Sequence, residues 1–117
     1  MNINKFRETI KRREYVEEIS CGEWADGIEE CWKEEIKILS EDIESTIEFL
    51  NNECTAEEYS WISEVIDDLA EQTQSRKLIE CYKSLMIKFP EQCKIYNIIG
   101  SIEFAENALS EENLNVE

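Results

Sequence analysis

A chain of 117 residues, 42% apolar and 34% charged, fits one domain with a single modest core. Its net charge of -16 disfavours nucleic acid as a partner, and no apolar run approaches the ~18 residues that a membrane span needs. The absence of His, and five widely spaced cysteines (Cys21, Cys31, Cys54, Cys81, Cys93) without a C-x-x-C pair, remove the local geometry of metal fingers and thiol-redox sites.

High charge by itself would place the chain near disorder, but most apolar residues fall on helical stripes. Three Gly and one Pro leave little material for a sheet of many short strands. Ile3, Phe6 and Ile10 share a face of a first helix running from about Ile3 to Arg12. Tyr15, Val16 and Ile19 mark a second, around Glu14 to Trp24, and the basic run Lys11-Arg12-Arg13 favours a break between the two.

The third helix is the clearest. Ile28, Trp32, Ile36, Leu39, Ile43, Ile47 and Leu50 recur in steps of three and four and predict one helix of about six turns. Asp26 is its candidate cap, and Asn51 with Asn52 its end. Thr55-Ala56-Glu57-Glu58 is a capping box that opens a fourth helix, whose inner face is Ile62, Val65, Ile66 and Leu69 and whose end lies near Thr73. Ser75 caps a fifth through Lys88, with Leu78, Tyr82, Leu85 and Phe89 aligned. Pro90 suits the first turn of a sixth segment carrying Ile95, Ile98, Ile102, Ala105 and Leu109, with a break near Asn97. Connections of two to six residues set neighbours antiparallel. The expectation is an all-α, irregular antiparallel bundle of five to seven helices over residues 1–109, followed by a polar, frayed tail at 110–117.

Charge is not spread evenly. Between Glu14 and Glu71 there are 20 Asp or Glu against two lysines, Lys33 and Lys37, whereas Met1 to Arg13 holds five bases and one acid, Glu8. Such a sink repels itself and weakens the compact state, so some role other than stability is expected for it. On a helical wheel Glu57, Glu64, Asp68 and Glu71 share one face, with Asp67 beside it and Trp61 projecting on the same side. Glu30, Glu34, Glu41, Glu44 and Glu48 occupy the outer surface of the third helix. The candidate partner-binding residues are therefore Glu57, Trp61, Glu64, Asp67, Asp68 and Glu71, with Glu41, Glu44 and Glu48. The plainer alternative is a solvated face that keeps the protein soluble, with Trp61 at the edge of the core. Trp24 and Trp32 are assigned to the core, and the basic N-terminal arm is expected to dock on the acidic helices or on a partner.

Catalytic chemistry lacks its parts. Nucleophilic triads want a His or Lys base, di-iron bundles want Glu-x-x-His, and neither a Ca²⁺ loop nor a Gly-rich phosphate loop is present. The expected protein is not an enzyme and takes no cofactor or metal. The charged N-terminus lacks the apolar stretch of a signal peptide, so the expectation is a cytoplasmic chain with buried, reduced thiols.

The stretch Cys54-Thr55-Ala56-Glu57-Glu58-Tyr59-Ser60-Trp61-Ile62-Ser63-Glu64-Val65-Ile66-Asp67-Asp68, followed by Thr73-Gln74-Ser75 and Lys88-Phe89-Pro90-Glu91, resembles small helical bacterial immunity proteins. These are encoded beside polymorphic toxins, including those of contact-dependent growth inhibition. The likeness runs from about Trp24 to Leu109. It implies a cytosolic protein that neutralises a cognate basic toxin domain, a nuclease with an RNase as one candidate, by tight one-to-one binding. The contact residues above rest on charge and helical position and not on the resemblance. Two rival classes are a DNA-mimic inhibitor of the anti-restriction type, with carboxylates in two rows over an elongated surface, and a helical adaptor module.

Overall fold

In the computed structural model, which describes residues 1–20 and 25–110, the chain is an all-α bundle. Cys21, Gly22, Glu23, Trp24 and the tail from residue 111 onward lie outside the described residues, and with them the placement of Trp24 in the core and the frayed end. In chain order the helices are α1 (Ile3–Ser20), α2 (Ala25–Ser40), α3 (Ile43–Asn52), α4 (Ala56–Ile62), α5 (Ile66–Thr73), α6 (Arg76–Ser84), α7 (Pro90–Tyr96) and α8 (Ile98–Ala108). A 3₁₀ turn, Leu85–Ile87, follows α6. Among the described residues, eight α-helices therefore stand where five to seven were expected, because two long expected helices are divided and one expected break is absent.

The absent break lies in α1, which runs through Lys11-Arg12-Arg13 without interruption. Arg13 explains it. Its side chain is only 4% exposed and bonded to carboxylates on both sides, so the charge that was expected to end the helix is neutralised where it stands. Val16 continues the buried face of Phe6 and Ile10, whereas Tyr15 and Ile19 are exposed and not on an inner face.

The long third helix is divided at Ser40–Asp42 into α2 and α3. Asp42 takes an extended conformation and caps α3, its carboxylate accepting from the Ser45 amide at 3.2 Å. Thr46, wholly buried, donates its hydroxyl to the Leu39 carbonyl at 2.8 Å and is 3.1 Å from that of Asp42. One side chain thus supplies a donor to the Leu39 carbonyl at the end of α2 and ties it to the start of α3. Asp26 lies within the first turn of α2 and not ahead of it.

The predicted capping box is present, with Thr55 and Glu58 each accepting from the other's amide. That helix too is divided. At Ser63, Glu64 and Val65 the amides bond three residues back, to Ser60, Trp61 and Ile62, and this tighter winding separates α4 from α5. Gln74 ends α5 in the left-handed conformation (φ 51°). Ser75 caps α6 through the Leu78 amide, Pro90 opens α7, and Asn97 (φ 49°) makes the break between α7 and α8.

The main core draws on every helix from Phe6 to Leu109. At its centre the rings of Tyr59 and Tyr82 stack at 4.3 Å, and each hydroxyl donates to the other residue's carbonyl, at 2.9 and 2.7 Å. The helix pairs α5–α8 and α1–α2 make the most extensive contacts. Ile98, Ile102, Ala105 and Leu109 are buried as expected, but Ile95 is 67% exposed, because the turn at Asn97 rotates α7 off the inner face of α8. No helix among the described residues is long and apolar enough to cross a membrane.

Candidate functional site

Three basic residues of α1 pair with acids outside that helix, and Arg13 alone among them is buried. Lys5 pairs with Glu34 at 3.0 Å, Arg7 with the buried capping residue Glu58 at 2.8 Å, and Arg13 with Glu64 at 2.8 Å. The arm thereby ties α1 to α2, to α4 and to the α4–α5 turn.

Arg13 is the centre of this network. Its Nε and Nη2 donate to the two oxygens of Glu64 at 3.0 and 2.8 Å, and its Nη1 lies 3.4 Å from Glu17. The guanidinium carbon stands 5.1 Å from the Trp61 ring centroid, within cation–π range. Trp32 donates its indole N–H to Glu64 at 3.1 Å, so this carboxylate is held by both α1 and α2. Glu35, on α2, is wholly buried, and neither oxygen has a hydrogen-bond partner. Burial pushes its carboxyl up to about 8, the Glu64 charge pushes the same way, and Arg13 opposes them. The protonated form of Glu35 is thereby favoured.

On the outer side of the same residues lies a cleft of about 300 Å³ lined by Glu57, Ser60, Trp61, Ser63, Glu64, Tyr96 and Ser101. Glu57 also borders a shallower depression with Arg7, Ile10, Lys11, Glu14, Thr55 and Glu58. Glu14, on α1, has its carboxyl raised by burial first and then by the charge of Glu57. A side-chain hydrogen bond to Glu57 raises it further, and one from Trp61 lowers it.

The sequence-derived residues divide into three places. Glu57, Trp61 and Glu64 come together at the cleft. Asp67, Asp68 and Glu71 form a second group on α5, where Asp68 is raised by burial and then by its two neighbours. Asp67 and Asp68 gain some relief from the positive end of the α5 dipole. Asp68 also borders a depression with Glu29, Trp32, Lys33 and Ile36. Glu41, Glu44 and Glu48 form the third group, at the α2–α3 turn and on α3, where Glu44 is paired with Lys77 of α6 at 2.8 Å. The single ridge from Glu57 to Glu71 is interrupted, since Glu64 sits in the α4–α5 turn and bonds inward.

Sequence reasoning missed Arg13, Glu14, Glu35 and Tyr96. Only Tyr96 had an available signal, an aromatic residue directly before a helix-breaking Asn. Cys31, Cys54, Cys81 and Cys93 are unbridged thiols, and among the described residues no group of three or more Cys, Asp or Glu is placed to hold a metal ion. Comparison with protein-family models, with curated proteins and with solved structures finds no match for the chain.

Proposed function

We propose that this protein is an acidic inhibitor of the immunity type, which binds a basic toxin domain one-to-one, a nuclease by preference, and neutralises it in the cytoplasm. One observation carries the reading. Lys5, Arg7 and Arg13 of α1 are spent on internal struts, while among the described residues no cation lies within ion-pair distance of Glu57, Asp67, Asp68 or Glu71. The ionised form of Asp68, disfavoured by burial and then by the charges of Asp67 and Glu71, is stabilised when an external positive charge approaches. A nuclease cleft must be positive to hold phosphates, so its field matches this surface and accelerates encounter. Nothing in the donor set points to bond-breaking chemistry.

The test is direct. The reading expects a large toxin gene immediately upstream of the gene for this chain. The purified C-terminal domain of that toxin should form a 1:1 complex with this protein and lose its activity on addition of one equivalent. Undiminished toxin activity with no complex by size exclusion would overturn it. DNA mimicry is less favoured, because it predicts carboxylates in two continuous rows, whereas Glu64 is turned inward onto Arg13 and interrupts the row from Glu57 to Glu71.

A further inference from the structure

The cleft over Trp61 differs from the other acidic places in what its polar atoms can do. Ser60 donates its hydroxyl to the Glu57 carbonyl at 2.6 Å, and Ser63 donates to the Ser60 carbonyl. With their protons committed, both oxygens have only acceptor capacity left for the cleft. Glu57 and Glu64 add carboxylate oxygens. Three of the four acceptor positions on Glu64 are taken by Arg13 and Trp32, and one remains on Oε2. A rim dominated by acceptors suits a ligand that only donates.

Aromatic surface supplies the second half of the recognition. Trp61 and Tyr96 line the cleft, and Tyr96 is 57% exposed, with exposed Ile95 and Ile99 beside it in the chain. The protein already shows what such a pairing holds. The guanidinium of Arg13 lies against Trp61 and forks onto Glu64, and Arg13 is not among the residues lining the cleft. The cleft presents the same aromatic and carboxylate pair to solvent.

We propose that this cleft is the receptor for an arginine side chain of a protein partner, its guanidinium placed against Trp61 and Tyr96 and ion-paired to Glu57. Arginine is preferred over lysine because its planar fork offers five donors, no acceptor and a face that stacks, whereas an ammonium is a more strongly hydrated point charge. The inference rests on the reading that the partner is basic, and adds which residue enters and where. The exposed apolar residues of α7 and α8 then meet the backbone on either side of that arginine.

The experiment uses the full chain and three blocked tripeptides, Gly-Arg-Gly, Gly-Lys-Gly and Gly-citrulline-Gly, followed by ¹H–¹⁵N NMR at concentrations up to roughly 20 mM. The arginine peptide should move the Trp61 indole signal and the amides of Tyr96 and Ser101, with affinity about threefold or more above the lysine peptide. The neutral citrulline peptide, which keeps the shape without the charge, should be silent. Tyr96→Ala and Glu57→Gln, both at exposed positions, should each weaken arginine binding by about threefold. Equal response to arginine and lysine, shifts centred on Asp67–Glu71, or no shift at all would overturn the cleft assignment. Because the peptides are read on the isolated protein, that failure leaves a toxin complex through another face intact. Conversely, arginine binding with no toxin complex would sink the inhibitor reading and keep the cleft.

Discussion

Arg13 of α1 grips both oxygens of Glu64, fifty-one residues further along the chain, while its flat side faces Trp61. A charge expected to interrupt a helix is thus the clamp between that helix and the turn bearing the candidate site. An acid expected to face a partner is held from within.

The clamp should matter to stability. Arg13→Met leaves Glu64 without its cation, and a loss of roughly 2–4 kcal/mol is expected, below the full cost of a deeply buried pair because Glu64 is partly exposed. Glu64→Gln should cost less, and the double variant less than the two losses together. Urea unfolding of the three variants measures this, and simple additivity would contradict the clamp.

Glu35 makes stability depend on pH in a defined direction. The ordinary value of its carboxyl is 4.5 and the folded value about 8, so between these the unfolded chain releases a proton that the folded one retains. Stability from this group is complete below about pH 4.5, declines as pH rises through the window, and levels off above about 8. Arg13 and Glu64, the charged groups facing it, move the folded value in opposite directions. Glu35→Gln should therefore unfold at higher urea than the parent by more at pH 8.5 than at pH 5.5, with a difference on the order of a few kcal/mol. A gain that is the same at both pH values would rule out a neutral buried carboxyl.

The reciprocal hydrogen bonds of Tyr59 and Tyr82 predict a coupled pair. Tyr59→Phe and Tyr82→Phe should each cost roughly 1–2 kcal/mol, since each leaves a buried carbonyl short of a donor. The stacked rings remain in both variants, so the fold is retained and thermal unfolding reports the hydroxyls alone.

Kinetics with the toxin domain should separate anchor from field. Trp61→Ala is expected to raise the dissociation rate about 10-fold or more. Asp68→Lys with Glu71→Lys should mainly slow association at low salt, an effect that fades as salt is raised. Glu57→Lys is the charge reversal to make at the cleft, because a lysine at position 64 would confront Arg13 and test folding instead of binding. Unchanged rates in all three would move the interface to Glu41, Glu44 and Glu48.

Thiol chemistry gives an independent check of burial. Cys54 is buried and its thiol is pushed up to about 12, chiefly by desolvation, so a disulfide-exchange reagent at pH 8 should leave it unmodified until urea unfolds the chain. Prompt labelling of Cys54 in the native protein would show that this part of the core is open.

The helical class, the capping box at Thr55, the Ser75 cap, the Pro90 start and the Asn97 break were legible in the sequence, because each depends on residues within one or two turns of each other. So was the concentration of acid, which is a matter of counting. The division of the two long helices was not, since an apolar stripe continues across Ser40–Asp42 and Ser63–Val65 whether or not the backbone bends there. Nor was the sorting of the acids. Which carboxylate faces water and which is clamped depends on Arg7, Arg13 and Trp32 arriving from α1 and α2, and Coulomb energy and burial act between residues that are close in space but distant in the chain. Local pattern determined the elements. Only their packing decided that Glu64 turns inward, that the protonated form of Glu35 is favoured, and that Tyr96 closes a cleft over Trp61.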